Sequence, residues 1–110
     1  MVVRKSVYKE VGGLNEEELT VAFNDVDFCL KVGKAGYRNF WTPFAEAYHL
    51  ESKSRGAEDT PEKRARFLKE VGYMKKTWGG LLENDPYYSP LLSREMEDYS
   101  IRRDLLKELL

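Results

Sequence analysis

Thr60-Pro61-Glu62 commits the middle of the chain to a helix. The threonine hydroxyl suits the cap, proline has no N–H to leave unbonded at the first helical position, and the glutamate meets the positive end of the helix dipole. Phe67, Val71, Met74 and Trp78 then fall on one stripe with Leu68 beside it, and Gly79-Gly80 is the expected stop. At that spacing the stripe is core. With 42% hydrophobic and 13% aromatic residues among 110, the chain holds enough apolar surface for one compact domain.

The remaining punctuation divides the chain into short elements. Val2-Val3 reads as the tail of a strand, and Ser6 to Val11 as a short helix closed by Gly12-Gly13. "LNEEELT" reads as an exposed acidic connection. Asn24 is the expected cap of a second helix, with Asp25 and Asp27 in its first turn, Val26, Cys29, Leu30 and Gly33 along one face, and Gly36 as its stop. The aromatic segments "YRNFWTP" and "AEAYHL", separated by Pro43, predict two short paired strands. "ESKSRGAED" reads as a polar loop, and "ENDPYYSPLLS" as an irregular strap held by Tyr87 and Tyr88. The amphipathic tail "SIRRDLLKELL" aligns Ile101, Leu105, Leu106 and Leu109 for core packing, self-association or a membrane surface.

Several function classes are excluded early. Lys+Arg at 18 against Asp+Glu at 19 leaves little counterion-release drive for nucleic acid. A net positive balance is confined to residues 53–76, which carry a local +4. One cysteine, Cys29, allows no disulfide framework and no cysteine-rich zinc site. One histidine, His49, allows no His-rich metal centre, although it suits a mixed oxygen and nitrogen ligand set. No phosphate loop of the Walker or dinucleotide pattern occurs, and no run of roughly 18 apolar residues predicts a transmembrane segment. The chain reads as soluble or membrane-associated.

Asp25 and Asp27 have two readings. First-turn carboxylates accept orphan N–H groups and complement the helix dipole. The spacing Asp-Val-Asp also matches a short cation-holding pattern of nucleotide-sugar enzymes, but that motif closes a strand, whereas this one opens a helix.

Taken in order, "VRKSVYKEVGGLNEEE", "FNDVDFCLKVGKAGYRNFWTP", "AEAYHLESKSRG", "DTPEKRARF" and "MKKTWGGLLENDPYYSP" resemble the C-terminal half of family-2 inverting glycosyltransferases, particularly the rhamnosyltransferase-like group. The resemblance implies an α/β fold, with helices packed on a few short strands as the C-terminal part of a GT-A-type nucleotide-diphospho-sugar transferase. It implies that residues 1–110 are a single acceptor-side domain whose nucleotide-binding half is absent. Such a chain is expected to be inactive alone, to form a homo-oligomer over its open edges, and to be cytoplasmic or peripheral at the inner face of the membrane.

The roles implied by the resemblance are specific. Asp25 becomes the catalytic base, supported by Asn24 and Asp27. His49 becomes a ligand of a divalent cation, Mn2+ or Mg2+, and Lys53, Arg55 and Trp41 become contacts to the acceptor or the diphosphate. The partners would be a nucleotide-sugar donor and a saccharide or lipid-linked acceptor. A rival expectation is a non-catalytic interaction module that uses the basic 60–78 helix and the amphipathic tail.

Overall fold

The computed structural model describes residues 1–48, 60–96 and 98–108. Four helices stand among them: α1 (Lys5–Glu10), α2 (Asn24–Lys34), α3 (Pro61–Glu83) and α4 (Arg103–Glu108). Contacts cluster into two compact units, residues 1–76 and 77–110, with the boundary inside α3. None of the helices among the described residues is long and apolar enough to cross a membrane.

Helix ends follow the glycines where the backbone must turn left-handed. After α1, Gly12 takes φ +79°, its N–H bonding the Lys9 carbonyl at 3.2 Å while the Gly13 N–H reaches back to Tyr8 at 2.8 Å. After α2, Gly36 takes φ +87°, with Gly36 N–H on Gly33 and Tyr37 N–H on Val32. Both are the paired closure that satisfies the orphan carbonyls of a last turn. Thr60 caps α3 as expected, its hydroxyl accepting the Lys63 N–H at 3.3 Å.

Gly13 carries a second constraint. At φ +66°, a Cβ added there would fall 2.9 Å from two ring carbons of Tyr8, whose hydroxyl accepts the Leu14 N–H at 3.3 Å. Gly13→Ala therefore combines left-handed strain with displacement of an aromatic ring, and is expected to destabilise the fold by about 2 kcal/mol. Gly12→Ala meets no neighbouring atom within 4 Å and should lose about half of that. Urea midpoints of the two variants check the difference.

The core of the first unit is Val7 of α1 with Phe28 and Val32 of α2, flanked by Val3, Tyr8 and Val11. Tyr8 and Phe28 lie 5.4 Å apart, centroid to centroid. The buried face of α2 is thus 27-28-32, not the 26-29-30-33 stripe expected from its small apolar residues. Phe28 is the largest apolar side chain on the helix and takes the core, which rotates Val26 outward. Leu19, in the connection expected to be exposed, is fully buried.

Three further expectations are corrected. Helix α3 continues through Gly79-Gly80 to Glu83, because two glycines cost about 1 kcal/mol each relative to alanine, too little to stop an established helix. It ends instead at Asn84, whose side-chain amide donates to Gly80 O at 3.1 Å, with Arg94 Nη1 donating to Glu83 O at 2.5 Å. Residues 1–4 and 37–48 form no strand. Among the described residues no neighbouring strand lies beside 37–48 to take their backbone groups, and Phe40, Phe44 and Tyr48 are exposed. In the strap, the Tyr88 hydroxyl donates to Ser93 O at 2.6 Å, while Tyr87 leaves its ring exposed and is bonded through its N–H to Asp85 Oδ1 at 2.8 Å. Leu92 and Ile101 form an isolated antiparallel bridge.

Candidate functional site

The start of α2 is built by its neighbours. Phe23, at φ +60°, is the residue before the helix, and its carbonyl accepts the Asp27 N–H at 2.8 Å. Asn24 therefore lies in the first turn rather than at the cap. Its side chain is used across the loop: Oδ1 accepts the Asn15 N–H at 2.8 Å, and Nδ2 donates to Leu19 O at 2.7 Å and Asn15 O at 3.2 Å. One amide so ties both ends of the 15–19 turn to the helix.

The two aspartates that follow face different surroundings. Positions two apart on a helix point roughly 200° from each other. Asp25 is exposed, with Oδ1 accepting the Val26 N–H at 2.9 Å. Asp27 is 1% exposed and its Oδ2 lies 3.1 Å from Lys31 Nζ, which also donates to Gly13 O at 2.7 Å. Lys31 thereby bridges α2 and the turn after α1, and Asp27 holds its ammonium in place.

Lys31→Met removes an ammonium from beside the buried Asp27 carboxylate. Breaking a buried pair by removing one partner costs several kcal/mol; since the Lys31 side chain is 24% exposed, the expected loss is about 2 to 3 kcal/mol. A urea titration checks it.

Burial raises the Cys29 thiol above its ordinary value, and the Asp25 carboxylate one turn away pushes it the same way. Both effects disfavour the thiolate, the form that acts as a nucleophile. Trp41 is 86% exposed. His49, Lys53 and Arg55 lie outside the described residues.

Among the described residues, no three His, Cys, Asp or Glu side chains converge as a metal cage. Asp25 faces solvent and Asp27 is held by Lys31. The described residues alone thus supply no complete ligand set for a divalent cation.

One acid was not anticipated. Glu70 of α3 is 2% exposed, with Oε1 accepting from Thr20 Oγ1 at 3.0 Å and Val21 N at 3.1 Å, and Oε2 accepting from Ala22 N at 2.6 Å. Its position three residues after Phe67 and four before Met74 places it on the inward side of α3, which is the signal that could have found it.

Comparison with known proteins yields relatives that this chain matches only in part. Over 99 residues the chain is 59% identical to the uncharacterized protein y4gI of Sinorhizobium fredii, covering 90% of this chain and 11% of that protein. It is 32% identical over 103 residues to the O-antigen biosynthesis protein RfbC of Myxococcus xanthus, covering 94% of this chain and 8% of the relative. It is 34% identical over 58 residues to the N-acetylglucosaminyl-diphospho-decaprenol L-rhamnosyltransferase of Mycobacterium tuberculosis, covering 53% and 19%. The chain is related at this coarse level to glycosyltransferases and O-antigen biosynthesis. It spans about a tenth of the length of the Sinorhizobium and Myxococcus relatives. No protein-family model and no solved structure matches it.

Proposed function

We propose that this chain is the acceptor-side part of an inverting family-2 glycosyltransferase of the GT-A type, moving a sugar from a nucleotide-diphosphate donor to a saccharide or lipid-linked acceptor. The observation that carries the reading is the split between the two aspartates. Asp27 is buried and held by Lys31, whereas Asp25 is presented to solvent from a turn braced by Asn24 and Glu70. A carboxylate so placed can collect the acceptor hydroxyl's proton as the glycosidic bond forms. The rhamnosyltransferase and O-antigen relatives support this class of reaction.

The donor site and most ligands of a divalent cation, Mn2+ or Mg2+, would come from a nucleotide-binding half, with His49 as a ligand from this chain. When bound, that cation would neutralise charge on the leaving diphosphate. The test joins such a half to this chain and measures sugar transfer by the wild type beside Asp25→Asn. Undiminished transfer in the variant would remove Asp25 from the mechanism.

The interaction-module reading has one observation of its own. Arg64, Lys75 and Lys76 are exposed on α3. That reading predicts binding to an anionic partner that weakens steeply with salt, in a chain indifferent to Asp25→Asn.

A further inference from the structure

We propose that Glu70 is the positioning residue for Asp25: through the 20–22 turn, α3 fixes the first turn of α2 and with it the direction of the candidate base. The inference rests on the reading of Asp25 as that base, but its structural half stands on Glu70 alone.

A carboxylate removed from water this completely needs donors, and Glu70 takes three from three successive residues, Thr20, Val21 and Ala22. All three are 48 to 50 residues distant in sequence. The next residue, Phe23, holds a left-handed backbone that L residues adopt only when their surroundings impose it. The surroundings here are again α3, since the Phe67 ring, one turn before Glu70, lies 5.5 Å from the Phe23 ring. On the other side, Asn24 holds Leu19 and Asn15. The segment from Leu19 to Phe23 is thus gripped from two elements. Its last carbonyl, Phe23 O, accepts the Asp27 N–H that encloses Asp25 in the first helical turn. Glu70 touches no reacting group and acts only through this backbone.

Glu70→Gln keeps the shape and turns one oxygen into an N–H donor, which must face the backbone N–H of Val21 or of Ala22, neither of which can accept. Native-state hydrogen exchange of the chain is the primary test. Exchange should speed by about tenfold or more at Val21, Ala22 and Asp27, while the Ala35 and Gly36 amides at the far end of α2 change less than about twofold. Thr20→Val, which removes one donor and leaves the carboxylate two, should give a smaller change of the same pattern, and carries the test if Glu70→Gln does not fold. Acceleration at Val21 and Ala22 without Asp27, or equal acceleration throughout α2, would overturn the proposal, since Glu70 would then hold a loop or the whole fold rather than this turn.

Kinetics supply the second arm. In the joined enzyme, Glu70→Gln should lower kcat about tenfold with the donor KM within about twofold, and should lower it no further once Asp25→Asn is present. A further loss in that background would also overturn the positioning role. If Asp25→Asn itself transfers sugar normally, the base assignment fails, and the exchange pattern still decides whether Glu70 sets the turn.

Discussion

Asp25→Asn is expected to lower sugar transfer by roughly a hundred- to ten-thousand-fold, the usual contribution of a positioned general base, with the fold unchanged. The substitution is nearly isosteric, and Asp25 is exposed, with its Oδ1 accepting its neighbour's N–H, so little packing depends on its charge. What changes is chemical: an amide cannot take the acceptor's proton. The loss should appear in kcat and in kcat/KM equally, because the proton is collected in the transition state rather than in the bound complex.

Asp27→Asn gives the opposite pattern. It weakens a buried pair with Lys31 and lowers the urea midpoint, while the enzyme that remains folded keeps turning over. Kinetics and melting of both variants in one preparation therefore separate the chemical acid from the structural one. Equal kinetic losses at the two positions would contradict the division of roles.

Chain punctuation was readable from residues alone, because glycine at φ > 0 and a capping threonine act locally. Gly12-Gly13, Gly36 and Thr60-Pro61 end or start helices where the sequence places them. Faces were less readable, because they depend on partners. Counting small apolar residues on α2 selects Val26, Cys29 and Leu30, but burial is decided by what α1 offers, and Val7 and Tyr8 accept Phe28. Gly79-Gly80 misled for a related reason: a local penalty was read as decisive where the helix on either side outweighs it.

At the site, the exposed carboxylate was legible and its support was not. Asn24 was expected at the cap, and it instead binds a turn nine residues upstream, a contact that no local rule predicts. Glu70 sat in a segment whose net charge is positive, where an isolated acid reads as solvated. Only the tertiary approach of residues 20–22, which brings three donors to the carboxylate, makes burial of that charge favourable.

Phe28→Ala should destabilise the first unit by about 4 kcal/mol, since truncating a buried phenylalanine loses both transfer energy and the contacts of the cavity it leaves. The effect is large against a domain whose total stability is about 5 to 15 kcal/mol. Phe28 is the centre of a small core, packed with Val7 and Val32 and stacked on Tyr8, and no other large apolar side chain of α2 is turned inward to replace it. Phe28→Leu, which keeps most of the volume, should lose about 1.5 kcal/mol. Val26→Ala is the decisive control, because the small-residue stripe would make Val26 a core position, whereas the structure leaves it exposed; its change should stay within about 0.5 kcal/mol. Urea titrations at constant slope measure all three. A loss at Val26 equal to that at Phe28 would mean that α2 is docked by the other face, which would also turn Asp25 away from the surface on which its proposed chemistry depends.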